Sequence, residues 1–164
     1  MAVVRMEDLF VYELSGMHDE ERETAVLTAD MIDQLRDDNL QRVMRFEHEE
    51  CQRRMKNLDL CFHSIGSRPR SVAALVVDGI HADYQRFLSL EPSDMTATMY
   101  TFGTALKLAH FGVGSYQALV DKAVLTGKTA CTQALQNNLV MYTESIGRMH
   151  HVCHNISQRI MATA

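Results

Sequence analysis

FVYELSGMHDEERETAVLTADMIDQL, residues 10–35, decides the fold. Phe10, Leu14, Met17, Glu21, Thr24, Thr28, Met31 and Leu35 recur at alternating intervals of three and four. That period marks one face of a helix packed in a bundle, and it predicts a helix from about Met6 to Arg36. A second segment with the same period follows at once. Leu40, Met44, Cys51, Met55, Leu58 and Phe62 place a helix over about Asn39 to Ile65. Asp37, Asp38 and Asn39 supply the turn and an N-cap. So short a link forces the two helices to lie antiparallel.

Gly66 to Arg70 then break the pattern. A shorter helix is expected from about Ser71 to Leu90, with Val72, Val76, Ile80, Tyr84 and Phe87 on one side. Glu91 to Asp94 form the next break, and Ser93 or Asp94 can cap a third long helix that runs to Leu125. Its stripe is Met99, Phe102, Leu106, Ala109, Val113, Tyr116, Val120 and Ala123. Gly127 ends it. A fourth long helix, about Thr129 to Ile160, carries Leu135, Leu139, Tyr142, Ile146, Met149, Cys153, Ile156 and Ile160. Two antiparallel pairs joined by a helical crossover make an all-α, ferritin-like antiparallel four-helix bundle.

The bulk composition agrees. A chain of 164 residues suits a single domain, 1–164, and buries roughly 70% of its unfolded surface without staples. Two prolines and eight glycines leave few breaks, and eleven methionines suit helix interiors. The net charge of −5, with no basic stripe, argues against nucleic-acid binding. No stretch approaches the roughly 20 apolar residues of a membrane span. Met1 to Phe10 lacks the basic region and apolar run of a signal peptide. Cys51, Cys61, Cys131 and Cys153 include no CxxC pair. Reduced, mostly buried thiols in a cytoplasmic protein are the simplest reading.

Glu21 is the most informative residue, because it falls mid-stripe where the core should be. A carboxylate there needs a metal or a charged partner, unless the helix is rotated to let it reach solvent. Ferritin-like di-metal sites place Glu on two helices and Glu-x-x-His on the other two. On the second helix Glu47 and Glu50 share a face beside the apolar stripe, and His48 falls on the stripe. These are ligand types for iron, manganese or zinc. Equally, Glu50 and Arg54 form an i,i+4 pair of a kind common on solvated faces. His110 adjoins stripe residue Ala109, and the fourth helix has no acid on its stripe. Two of four helices therefore lack the carboxylates of a complete di-iron centre. His150 and His154 could bind a transition metal, but two ligands fall short of a tight site. Gly103, Gly112 and Gly114, inside the third helix, suit close helix approach or a kink rather than a phosphate loop.

With these residues in place, the chain resembles the YciE/YciF-type ferritin-like family. FVYELSGMHDEE, residues 10–21, resembles that family's opening helix, with F-x-x-x-L-S followed six residues later by a ligand-type Glu. LQRVMRFEHEECQRRMKNLD, residues 40–59, resembles its second helix, with paired Glu and a downstream Leu-Asp. KLAHFGVGSYQAL, residues 107–119, resembles its third helix, built on K-V-E-H-Y-E-x-A-S-Y. The resemblance implies a bacterial bundle, usually a homodimer, tied to stress responses. It makes Glu21, Glu50 and His110 ligand-type positions. Ala109 and Gly112 stand where that family has Glu, as do Asn137, Val140 and Met141 on the fourth helix.

Three functions follow. The first is a non-enzymatic structural or interaction protein whose di-iron site is largely lost and which needs no cofactor. The second is a metal protein with a reduced site of Glu21, Glu50 and His110, helped by His18, Glu47 or His48, with oxidase or metal-handling activity. The third is a small-molecule binder with a pocket lined by Tyr116, Tyr142, Phe102 and methionines. In the first, Arg54 takes over the metal's charge opposite Glu21 and Glu50, or Glu21 is protonated.

Overall fold

The computed structural model describes residues 2–163. Met1 and Ala164, the ends of the expected span 1–164, lie outside the described residues. The order is α1 (Met6–Gln34), α2 (Asp38–Ser64), α3 (Leu75–Leu88), α4 (Asp94–Leu125) and α5 (Thr129–Thr163), with no strand among the described residues. The turn residues act as their chemistry requires. Asp37 Oδ1 accepts from the amides of Asn39 (2.8 Å) and Leu40 (3.1 Å), and Ser93 Oγ accepts from Thr96 N. Gly66 and Gly127 end α2 and α4 with φ of 62° and 67°, a conformation that favours glycine.

The four long helices form a ring in the order α1, α2, α5, α4, each packed on its two neighbours. This is the expected all-α, ferritin-like bundle. Helices α2 and α4 sit diagonally, so the crossover returns along the whole bundle, and α3 lies across α1 and α4. The apolar core falls into two clusters. One, at the α1 N-terminal end, holds Phe10, Leu14, Leu58, Phe62, Leu119 and Leu135. The other holds Leu27, Met31, Met44, Tyr84, Phe102 and Met149. Every stripe residue expected on α1 is buried.

Helix α3 starts four residues later than its apolar spacing suggests. Ser15 and Asp19 of α1 hold the backbone ahead of the helix in place, and Glu20 accepts from the first free amides inside it, which fixes where α3 begins. Ser15 Oγ accepts from Arg70 N (3.2 Å), Asp19 Oδ2 from Val72 N (2.7 Å), and Glu20 from Val76 N and Val77 N (3.0 Å to the latter). The shift also changes which valine is core: Val77 is buried, and Val76 is exposed.

Candidate functional site

Between the two apolar clusters lies a polar layer centred on Glu21. Its carboxylate is fully buried and collects three partners from three directions. Arg54 Nε of α2 donates to Oε1 at 2.8 Å, and Tyr116 Oη of α4 donates to the same oxygen at 2.9 Å. Cys51 Sγ lies 3.1 Å from Oε2. From α5, the Tyr142 ring stacks on Arg54, with Cζ 3.7 Å from its centroid. Tyr142 can come this close because α4 has glycine opposite it. A Cβ at Gly112 would run into the Tyr142 ring. Gly112, Tyr142, Arg54 and Glu21 therefore stack in sequence across all four long helices.

The electrostatics follow from this geometry. Burial opposes charge on Arg54, but the adjoining Glu21 carboxylate holds its pKa well above the ordinary value. Burial, then the Glu21 charge, pushes the Tyr116 hydroxyl and the Cys51 thiol up. Both stay protonated and donate to the carboxylate. Tyr142 is also raised, chiefly by burial.

The other residues singled out by the sequence scatter to separate partners. Glu47 is buried on α2, with Oε2 accepting from Ser145 Oγ at 2.6 Å and Oε1 from Arg148 Nε at 2.7 Å. It takes the inward position expected for His48. His48 instead sits at the α1–α2 seam, Nδ1 2.9 Å from Thr28 Oγ1 and Nε2 3.2 Å from Gln52. Glu50 is buried, but its cation is Arg53 at 2.6 Å and not Arg54. His18 Nε2 lies 3.3 Å from Asp59, and its ring meets Phe62 edge-on. His110 is exposed and packs edge-on against His150, with centroids 6.5 Å apart. The structure thus joins Glu21 to Arg54 and does not join either to His110. Among the described residues, no three His, Cys, Asp or Glu side chains are grouped to hold a metal ion.

The proposed interhelical ligand pocket is filled by its own lining. Tyr116 and Phe102 are fully buried core. Beside Tyr142, Glu47 and Arg54 the free space is about 20 Å³, room for one water and no more. Sequence spacing also missed polar residues of α5. Asn138 is fully buried, its Nδ2 donating to Arg54 O at 3.1 Å and its Oδ1 accepting from Asn57 at 2.7 Å. Seven-residue spacing from Asn138 to Ser145, through the core-facing turn, was the available signal.

The fold is shared with solved bundles. YcfI of Rhodopseudomonas palustris, named as a candidate structural protein, superposes with a TM-score of 0.86 at 20% identity, covering 90% of this chain and 94% of that one. The E. coli stress protein YciF gives 0.89 at 15% identity, covering 94% and 98%. A Xanthomonas campestris pv. campestris protein gives 0.69 at 17%, covering 96% and 99%. No curated protein matches the sequence. The model of a family described as a domain of unknown function, DUF892, matches residues 5–161. That span takes in all four long helices and the crossover: the chain shares its fold with the YciF and YcfI bundles and belongs to the DUF892 family.

Proposed function

We propose that this chain is a non-enzymatic, stress-related structural or interaction protein: one ferritin-like domain whose di-iron site has given way to an internal ion pair. The observation that carries this is the Glu21–Arg54 contact of 2.8 Å at the centre of the bundle. Two metal ions bring positive charge to a cluster of carboxylates. Here a guanidinium already neutralises Glu21, the facing positions on α4 are Ala109 and Gly112, and the buried polar residues of α5 are Asn138 and Ser145. Such a donor set does not fit a di-metal centre. The names of two structural neighbours, a stress protein and a candidate structural protein, support the same reading.

The working unit in this proposal is a cytoplasmic homodimer without nucleic-acid or membrane partners. No helix among the described residues is long and apolar enough to cross a membrane. Tyr12, Val72, Leu75 and Val76 line an open groove of about 460 Å³ between α1, the crossover and α4. Leu75 is 75% exposed, and apolar surface of this kind gains from burial against a second copy.

Metal content tests the first part. The untagged protein is purified without chelator, and iron, manganese and zinc are measured per chain alongside Glu21→Ala. The expected result is no stoichiometric metal in either, before or after anaerobic ferrous iron, and no thermal shift on adding metal. A stoichiometric metal lost in Glu21→Ala overturns the proposal in favour of the reduced-site metal protein. Sedimentation of the protein and of Leu75→Glu tests the dimer; a monomeric parent refutes it.

A further inference from the structure

Two of the buried cysteines face each other. Cys61 lies in the last turn of α2 and Cys131 in the first turn of α5, on neighbouring antiparallel helices. Cys61 Sγ is 3.9 Å from the Cys131 carbonyl, and Cys131 Sγ is 3.7 Å from the Cys61 carbonyl. That reciprocity puts both thiols into one gap between the same two turns. Both are free and buried, and nothing in the polar layer around Glu21 uses them.

Their surroundings differ in a way that divides the chemistry between them. Cys131 is the third residue of a 35-residue helix, where unpaired backbone N–H groups favour negative charge on sulfur. Ser64 Oγ lies 3.4 Å from its sulfur, and Lys128 precedes the helix. The Cys61 thiol, then Ser64 and Lys128, lower its pKa below the ordinary thiol value against the opposing effect of burial. Cys61 is pushed up by its hydrogen bond to Cys131 and by burial. The helix N-terminus, Ser64 and Lys128 all favour the thiolate on Cys131 over one on Cys61.

We propose that Cys61 and Cys131 form a redox-active dithiol that hydroperoxides close into an intramolecular disulfide. The Cys131 thiolate attacks one peroxide oxygen. The S–O bond forms, the O–O bond breaks, and the departing alkoxide or hydroxide takes from solvent the proton that Cys131 gave up on ionising, leaving as alcohol or water. Cys61 sulfur then attacks the Cys131 sulfenic acid. The S–S bond forms, the S–O bond breaks, and water departs with the Cys61 proton. Two thiols and one hydroperoxide give one disulfide, one alcohol and one water, and two electrons pass from sulfur to peroxide. The oxidant enters when the first turn of α5 opens; Thr129 and Ala130 there are exposed, and helix ends open at small free-energy cost. The closed bond ties residues 70 apart in sequence and joins the two helical pairs.

The test uses the full chain exposed to hydrogen peroxide, then thiol counting in denaturant and peptide mapping without reductant. The four free thiols should fall to two, with a Cys61–Cys131 linked peptide and a higher thermal midpoint that reductant reverses. Cys61→Ser should leave a sulfenic acid that dimedone labels at Cys131, and Cys131→Ser should leave Cys61 unoxidised. Retention of four thiols, a bridge through Cys51 or Cys153, or dimedone on Cys61 in place of Cys131 would each overturn the assignment.

Discussion

Replacing Arg54 by leucine removes the cation and keeps much of the side-chain volume. Glu21 is fully buried and Arg54 keeps only 3% of its side chain exposed, so solvent cannot take over from the guanidinium. Breaking a buried pair by removing one partner destabilises by about 3–5 kcal/mol, because the remaining charge is left uncompensated. Tyr116 and Cys51 still donate to the carboxylate, which places the loss toward the lower end, about 3 kcal/mol. For a chain of this size that lowers the melting temperature by about 6–12 °C. The assay is urea and thermal unfolding followed by circular dichroism at neutral pH. Combining Glu21→Gln with Arg54→Leu should recover most of the loss, since neither charge is then buried. A loss under about 1 kcal/mol, or a double variant no more stable than Arg54→Leu, refutes the claim that the pair replaces a metal's charge.

Three further outcomes are expected. Gly112→Ala forces a methyl group against the Tyr142 ring and should destabilise by about 1–3 kcal/mol. Gly103→Ala and Gly114→Ala meet nothing within 4 Å and should stabilise by up to about 1 kcal/mol each; thermal melts separate the two classes. Burial raises the pKa of Glu20 in the folded chain, against the opposing pull of the Val77 and Val76 amides. A raised carboxyl contributes stability that is full below the unfolded pKa and is lost as pH rises through the folded one. The fall in unfolding free energy above about pH 4 should therefore be shallower in Glu20→Gln than in the parent. Asn138→Ala leaves Arg54 O and Asn57 without their partner and should lose about 1–3 kcal/mol in denaturant unfolding.

The helices were legible because bundle packing writes a period into the chain. On α1 that period places eight buried residues, Glu21 included, and misses only the neighbouring Leu27 of the apolar core; charge balance offers Arg54 as a cation for Glu21 and Glu50, and the geometry pairs it with Glu21. On α2 the phase drifted. Apolar spacing puts Met55 on the inner face, while Arg54, the neighbouring charged residue, is the one buried. Hydrophobicity cannot see a buried ion pair, and the same blindness exchanged Glu47 for His48. His110 lies outside the polar layer for another reason. Its neighbour in sequence, Ala109, faces the core, and adjacent residues on a helix point about 100° apart. The Cys61–Cys131 pair left no trace in sequence, because its two members meet only through the packing of α2 on α5.

The crossover divides the bundle into two local hairpins. Helices α1 and α2 join through a short turn, as do α4 and α5, so each pair forms from local contacts and can arise early. Glu21 and Arg54 belong to the first hairpin; Tyr116 and Tyr142, which cover them, belong to the second. Alone, the first hairpin keeps its two charges hydrated. Only docking of the second strips that water, so the ion pair acts as a checkpoint on closure. A hairpin that docks out of register leaves a dehydrated charge without its aromatic roof, and that penalty selects the native pairing of halves over slipped ones.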